Sequence, residues 1–261
     1  MMKIYIDPGH GGSSIGASYK GRKEQDDCLR LSLAVRDNLL TQKDIEVKMS
    51  RTTDVNPELS DRCAEANAWG ADYFLSIHRN AFKPEAATGA ENWVYSKVAK
   101  NGETYKQAEI ILNHLCAATG YKSRGVKLGA PSYTDYAVNN LTKMSSCLLE
   151  IGFIDNTNDN TIFDSKFNEM AKEIAKGVYE ANGGTWVEPV AKKEEVAEND
   201  GLTYIVQVGA FSIKKNAEDF AEKIKKAGFD AIVTVKGDMN GDGKITAADS
   251  REILRKSVGL E

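Results

Sequence analysis

Hydrophobic positions along the first 183 residues switch between short solid or alternating runs and a spacing of three to four. The first pattern is that of strands and the second that of helices. Residues 3–7 predict a strand that ends in Pro8-Gly9-His10-Gly11-Gly12. Residues 27–40 predict a helix with Cys28, Leu31, Val35 and Leu39 on one face. Strands follow at 46–49, 73–77 and 92–95, and another at 146–150. Helices are expected at 57–68, with Asn56 as N-cap and Pro57 in first position, and at 104–119, closed by Gly120. A last helix over 163–181 carries the stripe Phe163, Phe167, Met170, Ile174 and Val178 and stops at Gly183-Gly184. Alternating strands and helices predict an α/β fold. Its sheet is mixed, mostly parallel, and covered by helices on both faces.

Beyond residue 183 the pattern changes. Residues 184–200, with Pro189 and a run of Lys, Glu, Ala and Val, read as a linker. A small α+β appendage follows. It has a strand over 203–208, a helix over 214–227 closed by Gly228, a strand over 231–235, and an acidic loop and helix over 238–261.

Composition narrows the function classes. The net charge of -4, with both signs mixed along the chain, gives no basic surface for nucleic acid. No apolar run approaches the roughly 20 residues of a membrane span, so no membrane insertion is expected. The N-terminus reads as the start of a strand rather than a signal peptide. The four cysteines lie far apart in apolar segments without a CxxC pair, which predicts buried reduced thiols rather than a thiolate metal site.

Two of the three histidines, His10 and His78, fall just beyond predicted strand ends, the edge at which open α/β sheets build ligand sites. Glu150 also ends a strand, among apolar neighbours, and Glu24 lies in the loop before the first helix. Two imidazoles and a carboxylate make a catalytic zinc set with one open position. Spacing alone leaves the alternative that these are structural hydrogen-bonding groups. The third histidine, His114, sits mid-helix with no carboxylate near in sequence and reads as a solvated or packing residue.

Residues 2–183 resemble the zinc-dependent, type-3 N-acetylmuramoyl-L-alanine amidases. The blocks are Ile6-Asp7-Pro8-Gly9-His10-Gly11-Gly12, Glu24, Ser50-Arg51-Thr52-Thr53-Asp54, Leu59, Arg62, Ala66-Asn67 and Ala71-Asp72. They continue with Ser76-Ile77-His78-Arg79-Asn80-Ala81, Arg124-Gly125-Val126-Lys127 and Leu149-Glu150-Ile151-Gly152-Phe153-Ile154-Asp155-Asn156. The resemblance implies zinc on His10, Glu24 and His78, with Glu150 as the catalytic carboxylate and Asn80 and Arg51 in support. It implies hydrolysis of the amide joining N-acetylmuramic acid to L-alanine in bacterial peptidoglycan, by an autolysin or a phage endolysin working at the cell wall. The missing signal fits a phage lysin or a trimmed chain. A wall-binding protein on a silent amidase fold, and a zinc peptidase of the stem peptide, are the competing classes. The short passage from 95 to 104 leaves no room for an inserted helix that would block the cleft.

Residues 201–236 resemble the first half of a sporulation-related repeat, a family that binds peptidoglycan. In the last segment, 237–261, Asp238, Asn240, Asp242, Thr246 and Asp249 fall at calcium-loop positions, with Lys244 offering its backbone carbonyl. This resembles one dockerin repeat and predicts Ca2+ binding. Dockerins carry two repeats, so docking to a cohesin partner is not expected.

Overall fold

The computed structural model describes residues 1–189 and the single helical residue Glu222. The chain divides into two units, Met1–Ala191 and Lys192–Glu261. In the first, eight strands and six helices follow in the order β1 (Met2–Pro8), β2 (Ser18–Tyr19), β3 (Arg22–Lys23), α1 (Glu24–Leu39), β4 (Ile45–Met49), α2 (Leu59–Trp69), β5 (Tyr73–Asn80), β6 (Ala90–Val94), α3 (Glu103–Thr119), β7 (Ser123–Leu128), α4 (Ala137–Leu141), β8 (Ser145–Phe153), α5 (Thr157–Ser165) and α6 (Phe167–Ala181).

Six strands form one sheet in the order β4-β1-β5-β8-β6-β7. β4, β1, β5 and β8 are mutually parallel, while β6 runs antiparallel to β8 and parallel to β7. The C-terminal ends of β1, β5 and β8 therefore share an edge with the start of β6, and Glu91 pairs in register with Glu150.

Side chains alternate across the central strands, so each face acquires its own core. Ile4, Ile6, Leu75, Ile77 and Leu149 pack with Leu31 and Val35 of α1, Ile111 and Leu115 of α3, and Ile174 of α6. On the other face Tyr5, Phe74 and Leu148 meet Cys63 and Ala66 of α2 and Val138 of α4. α6 packs against both α1 and α3. Its approach to α3 is close enough that a Cβ on Gly177 would sit 3.1 Å from the Ile111 Cα. All four thiols are free, as the pattern indicated; Cys28, Cys63 and Cys147 are buried, but Cys116 is only half-buried.

Several boundaries differ from the sequence reading. α2 starts at Leu59 with Glu58 as N-cap, and the Asn56 side-chain Oδ1 instead accepts from Arg62 Nη2 at 2.9 Å. The expected helix over 163–181 is two helices broken at Lys166. α5 begins earlier, at Thr157, where the Asn156 side chain caps the Asp159 amide. Glu24 is the first residue of α1 rather than part of the preceding loop. β7 and α4 had no counterpart in the pattern. The β6–α3 connection, residues 95–102, holds no helix. After Gly184 the chain stays against the first unit. Val187 exchanges hydrogen bonds with the Gln42 amide, and the Trp186 ring lies 6.2 Å from that of Tyr179.

Candidate metal centre

His10 is reached by a chain leaving β1 through Gly9, and it holds a left-handed conformation at φ 60°. His78 and Glu150 are register partners within β5 and β8; the strands run on past both, where the sequence placed His78 just beyond one strand and Glu150 at the end of the other. Glu24 enters from the first turn of α1, where a carboxylate is favoured by the helix dipole. These four side chains come from separate elements and line one cavity of about 570 Å³.

Three of them converge tightly. His10 Nε2 lies 3.2 Å from Glu24 Oε2, and His78 Nδ1 lies 2.9 Å from Glu24 Oε1. One donor atom from each of the three residues falls within 4.8 Å of the others. The outer atoms are also held. His10 Nδ1 meets Ser14 Oγ at 3.1 Å, and Glu24 accepts from the Ala17 amide at 2.8 Å and the Arg79 amide at 3.1 Å. Such partners fix ring tautomer and carboxylate orientation around a metal. Two glycines leave the space. A Cβ on Gly9 would lie 2.5 Å from His78 Cε1, and one on Gly16 would lie 2.5 Å from Glu24 Oε2. Two nitrogens and a carboxylate oxygen, preset within one small volume, suit a zinc ion.

The electrostatics separate the two glutamates. Burial alone would push both carboxyl groups up. At Glu24 the hydrogen bonds from His10 and His78 outweigh burial and hold it well below the usual carboxylate range. At Glu150 burial dominates, the charges of Glu24 and Glu91 add to it, and its pKa is pushed well up. Among the described residues, Glu150 Oε2 is buried with no hydrogen-bond partner. The two carboxyl groups are thus pushed in opposite directions, Glu24 toward the anion and Glu150 toward the neutral acid.

Arg51 and Asn80 do not belong to the triad. Arg51 is buried and donates to the carbonyls of Pro8, Gly9 and Gln25 at 3.0, 2.7 and 2.9 Å, bracing the His10 loop against α1. Asn80 donates to Glu91 Oε1 at 2.9 Å. The sequence reading gave no role to Arg62 and Asp7, a fully buried pair at 2.9 Å. Asp7 also accepts from Ser50 and Ser76, while Arg62 reaches the Pro8 and His10 carbonyls. The signal was present, since a charged residue inside an apolar strand must be paired. Beneath His78, Arg79 pairs with Asp27, and its guanidinium lies 4.2 Å from the Phe163 ring. His114 is not free of carboxylates as its sequence neighbours implied. It lies 2.9 Å from Glu173 and 3.1 Å from Glu180, both brought by α6. The calcium-loop residues Asp238, Asn240, Asp242, Lys244, Thr246 and Asp249 lie outside the described residues.

Residues 4–180 match the family described as N-acetylmuramoyl-L-alanine amidase, and residues 201–244 match the SPOR domain. The second match takes in the start of the acidic loop, residues 238–244. The chain is 38% identical over 234 residues to the N-acetylmuramoyl-L-alanine amidase CwlM of Bacillus licheniformis, covering 89% of this chain and 85% of that one. It is 32% identical over 236 residues to the endolysin of Bacillus phage SPP1, covering 87% and 82%. Among solved structures, the N-acetylmuramoyl-L-alanine amidase of Clostridium difficile 630 superposes with a TM-score of 0.62 at 32% identity, over 69% of this chain and 95% of that one.

Proposed function

The chain belongs to the N-acetylmuramoyl-L-alanine amidase family, and we propose that it hydrolyses the bond between N-acetylmuramic acid and L-alanine with zinc held by His10, Glu24 and His78. The observation that carries this reading is the buried Glu150 carboxyl, its Oε2 without a hydrogen-bond partner among the described residues, on the same cavity as the three convergent donors. When bound, zinc supplies Lewis acidity, acidifying water and polarising the amide carbonyl.

The chain's own groups do the rest. Glu24 and the two imidazoles set the donor geometry, with Ser14 and the Ala17 and Arg79 amides holding them still. Glu150 takes one proton from the attacking water as the oxygen bonds to the lactyl carbonyl carbon. It then delivers that proton to the alanine nitrogen as the C–N bond breaks, so it leaves the cycle in the form in which it entered. A raised pKa suits a group that must both accept and return a proton. Arg51, Arg62 and Asp7 position His10 through the backbone of its loop.

The site of action is the bacterial cell wall. Among the described residues no helix is long and apolar enough to cross a membrane. The SPOR region would hold the enzyme on peptidoglycan. Sedimentation with purified sacculi tests that, and a chain left in the supernatant refutes it. The central test joins zinc analysis with mass spectrometry of digested peptidoglycan. About one zinc per chain, with new L-alanine amino termini and intact disaccharides, is expected. Cleavage inside the stem peptide, or no product, would overturn the assignment.

A further inference from the structure

Next to the metal cavity lies a second groove of about 670 Å³, which shares Asn80 and Ala81 with it. Phe82, Trp93 and Pro131 give it apolar walls, and Lys122, Arg124 and Lys127 give it positive charge. Nothing in the hydrolytic step uses these residues.

Arg124 is set like a receptor. Its Nε donates to Glu91 Oε2 at 2.8 Å, and its guanidinium lies 5.0 Å from the Phe153 ring. Glu91 is fixed in turn by Asn80 at 2.9 Å and by the Trp93 indole at 3.2 Å. The guanidinium is therefore oriented through one nitrogen and one face. Among the described residues its two terminal nitrogens have no hydrogen-bond partner, and its side chain is 37% exposed. Lys122 and Lys127 have no ion-pair partner among the described residues either. Glu91 balances one of three cations, which leaves the groove positive. A planar fork with free donors, in a groove that two lysines also line, matches a carboxylate.

Position selects which carboxylate. Arg124 lies in the irregular stretch of β7 opposite Glu91, and Glu91 lies opposite Glu150. Two strand spacings of about 4.8 Å put the Arg124 backbone roughly 10 Å from that of Glu150. An extended peptide advances about 3.3–3.6 Å per residue, so this reach corresponds to the second or third residue beyond the scissile amide. The glycan arm of the substrate is neutral, because the muramic carboxyl is consumed in the amide itself. The peptide arm carries the free carboxylates.

We propose that Arg124, with Lys122 and Lys127, forms a subsite that binds a free carboxylate on the second or third residue of the stem peptide, making the enzyme selective for acidic over amidated stems. This rests on the amidase reading above. The test uses the zinc-loaded full chain and two pairs of muramoyl tripeptides, one pair differing at the second residue and the other at the third, each as free carboxylate and as carboxamide. In at least one pair the wild type should favour the carboxylate by about tenfold or more in kcat/KM, mostly through KM. Arg124→Gln should lose roughly 10- to 100-fold on that carboxylate and less than about threefold on its carboxamide. The double variant Lys122→Gln/Lys127→Gln, which leaves the Glu91 network intact, should lose part of the same preference.

Equal turnover within both pairs by the wild type, or an equal loss on both members in Arg124→Gln, would overturn the subsite. Calorimetric binding of the released tripeptides reads the subsite without catalysis. Carboxylate-selective binding that Arg124→Gln abolishes, without turnover by wild type, would uphold the subsite and sink the amidase reading alone.

Discussion

Replacing Glu150 with glutamine removes a charge and little else, so it separates the chemical role of this residue from its structural cost. The Oε2 atom is buried without a hydrogen-bond partner among the described residues, and the carboxyl sits near Glu24 and Glu91. In metal-free protein an ionised group there is unfavourable. A buried charged group lacking a hydrogen bond costs at least about 1–3 kcal/mol, and the neutral amide escapes the repulsive part of that. The sign follows from the raised pKa. Wild type keeps its full stability while Glu150 is protonated, below the unfolded carboxylate value of about 4.3, and loses it as pH rises toward the folded value. Chelator-treated Glu150→Gln should therefore match wild type near pH 4.5. At pH 7.5 it should exceed wild type by about 1–3 kcal/mol, a rise in Tm of roughly 3–10 °C for a domain of this size. Zinc-loaded variant should keep its metal and lose about 10²–10⁴-fold in turnover. Thermal melts at the two pH values, elemental analysis and product release from peptidoglycan read all three quantities. A stability difference that ignores pH, or retained turnover at full zinc occupancy, would refute the assignment of Glu150 as the buried proton carrier.

Other outcomes follow from the same geometry. His10→Ala and His78→Ala should each purify folded but without stoichiometric zinc, as measured by elemental analysis. Asp7→Asn leaves the Arg62 guanidinium buried beside a neutral group and should cost about 3–5 kcal/mol in urea unfolding, far more than a surface substitution. Gly16→Ala places a methyl where Glu24 Oε2 and His10 Cδ2 now lie, at a backbone φ of 66°. It should weaken zinc binding in competition with a chelating dye by tenfold or more, in the range seen when atoms supporting a metal ligand are disturbed.

The sheet and its main helices were readable because apolar periodicity reports burial directly. β1, β5 and β8 are solid apolar runs, as strands buried on both faces should be. β7 escaped because it is an edge strand in which Ser, Arg, Gly and Lys leave only Val126 and Leu128 apolar, and charged residues are how edges resist further pairing. The break at Lys166 escaped for the opposite reason. Phe163 and Phe167 stand four apart on either side of it with rings 5.9 Å from each other, so the pattern of one helix survives across two. His114 shows the limit of local reasoning, since the carboxylates that flank it arrive from a helix some 60 positions later.

The site was legible to different depths for a physical reason. His10, His78 and Glu150 could be placed at one sheet edge from strand periodicity alone, because parallel strands share their C-terminal end. Glu24 could not, since no periodicity marks the first residue of a helix; it rested on the resemblance. The support was invisible, because patterning assigns charges to the surface. Yet the loop bearing His10 leaves the sheet with its carbonyls unpaired by any neighbouring strand. Buried carbonyls need donors. Arg51 supplies them to Pro8 and Gly9, and Arg62 to Pro8 and His10. Only a guanidinium carries enough rigidly placed N–H groups to serve two or three carbonyls at once. Asp7, one residue inside β1, then balances the Arg62 charge. The interior charges are thus the consequence of presenting a histidine on an irregular loop, and a sequence that carries the histidine must carry them too.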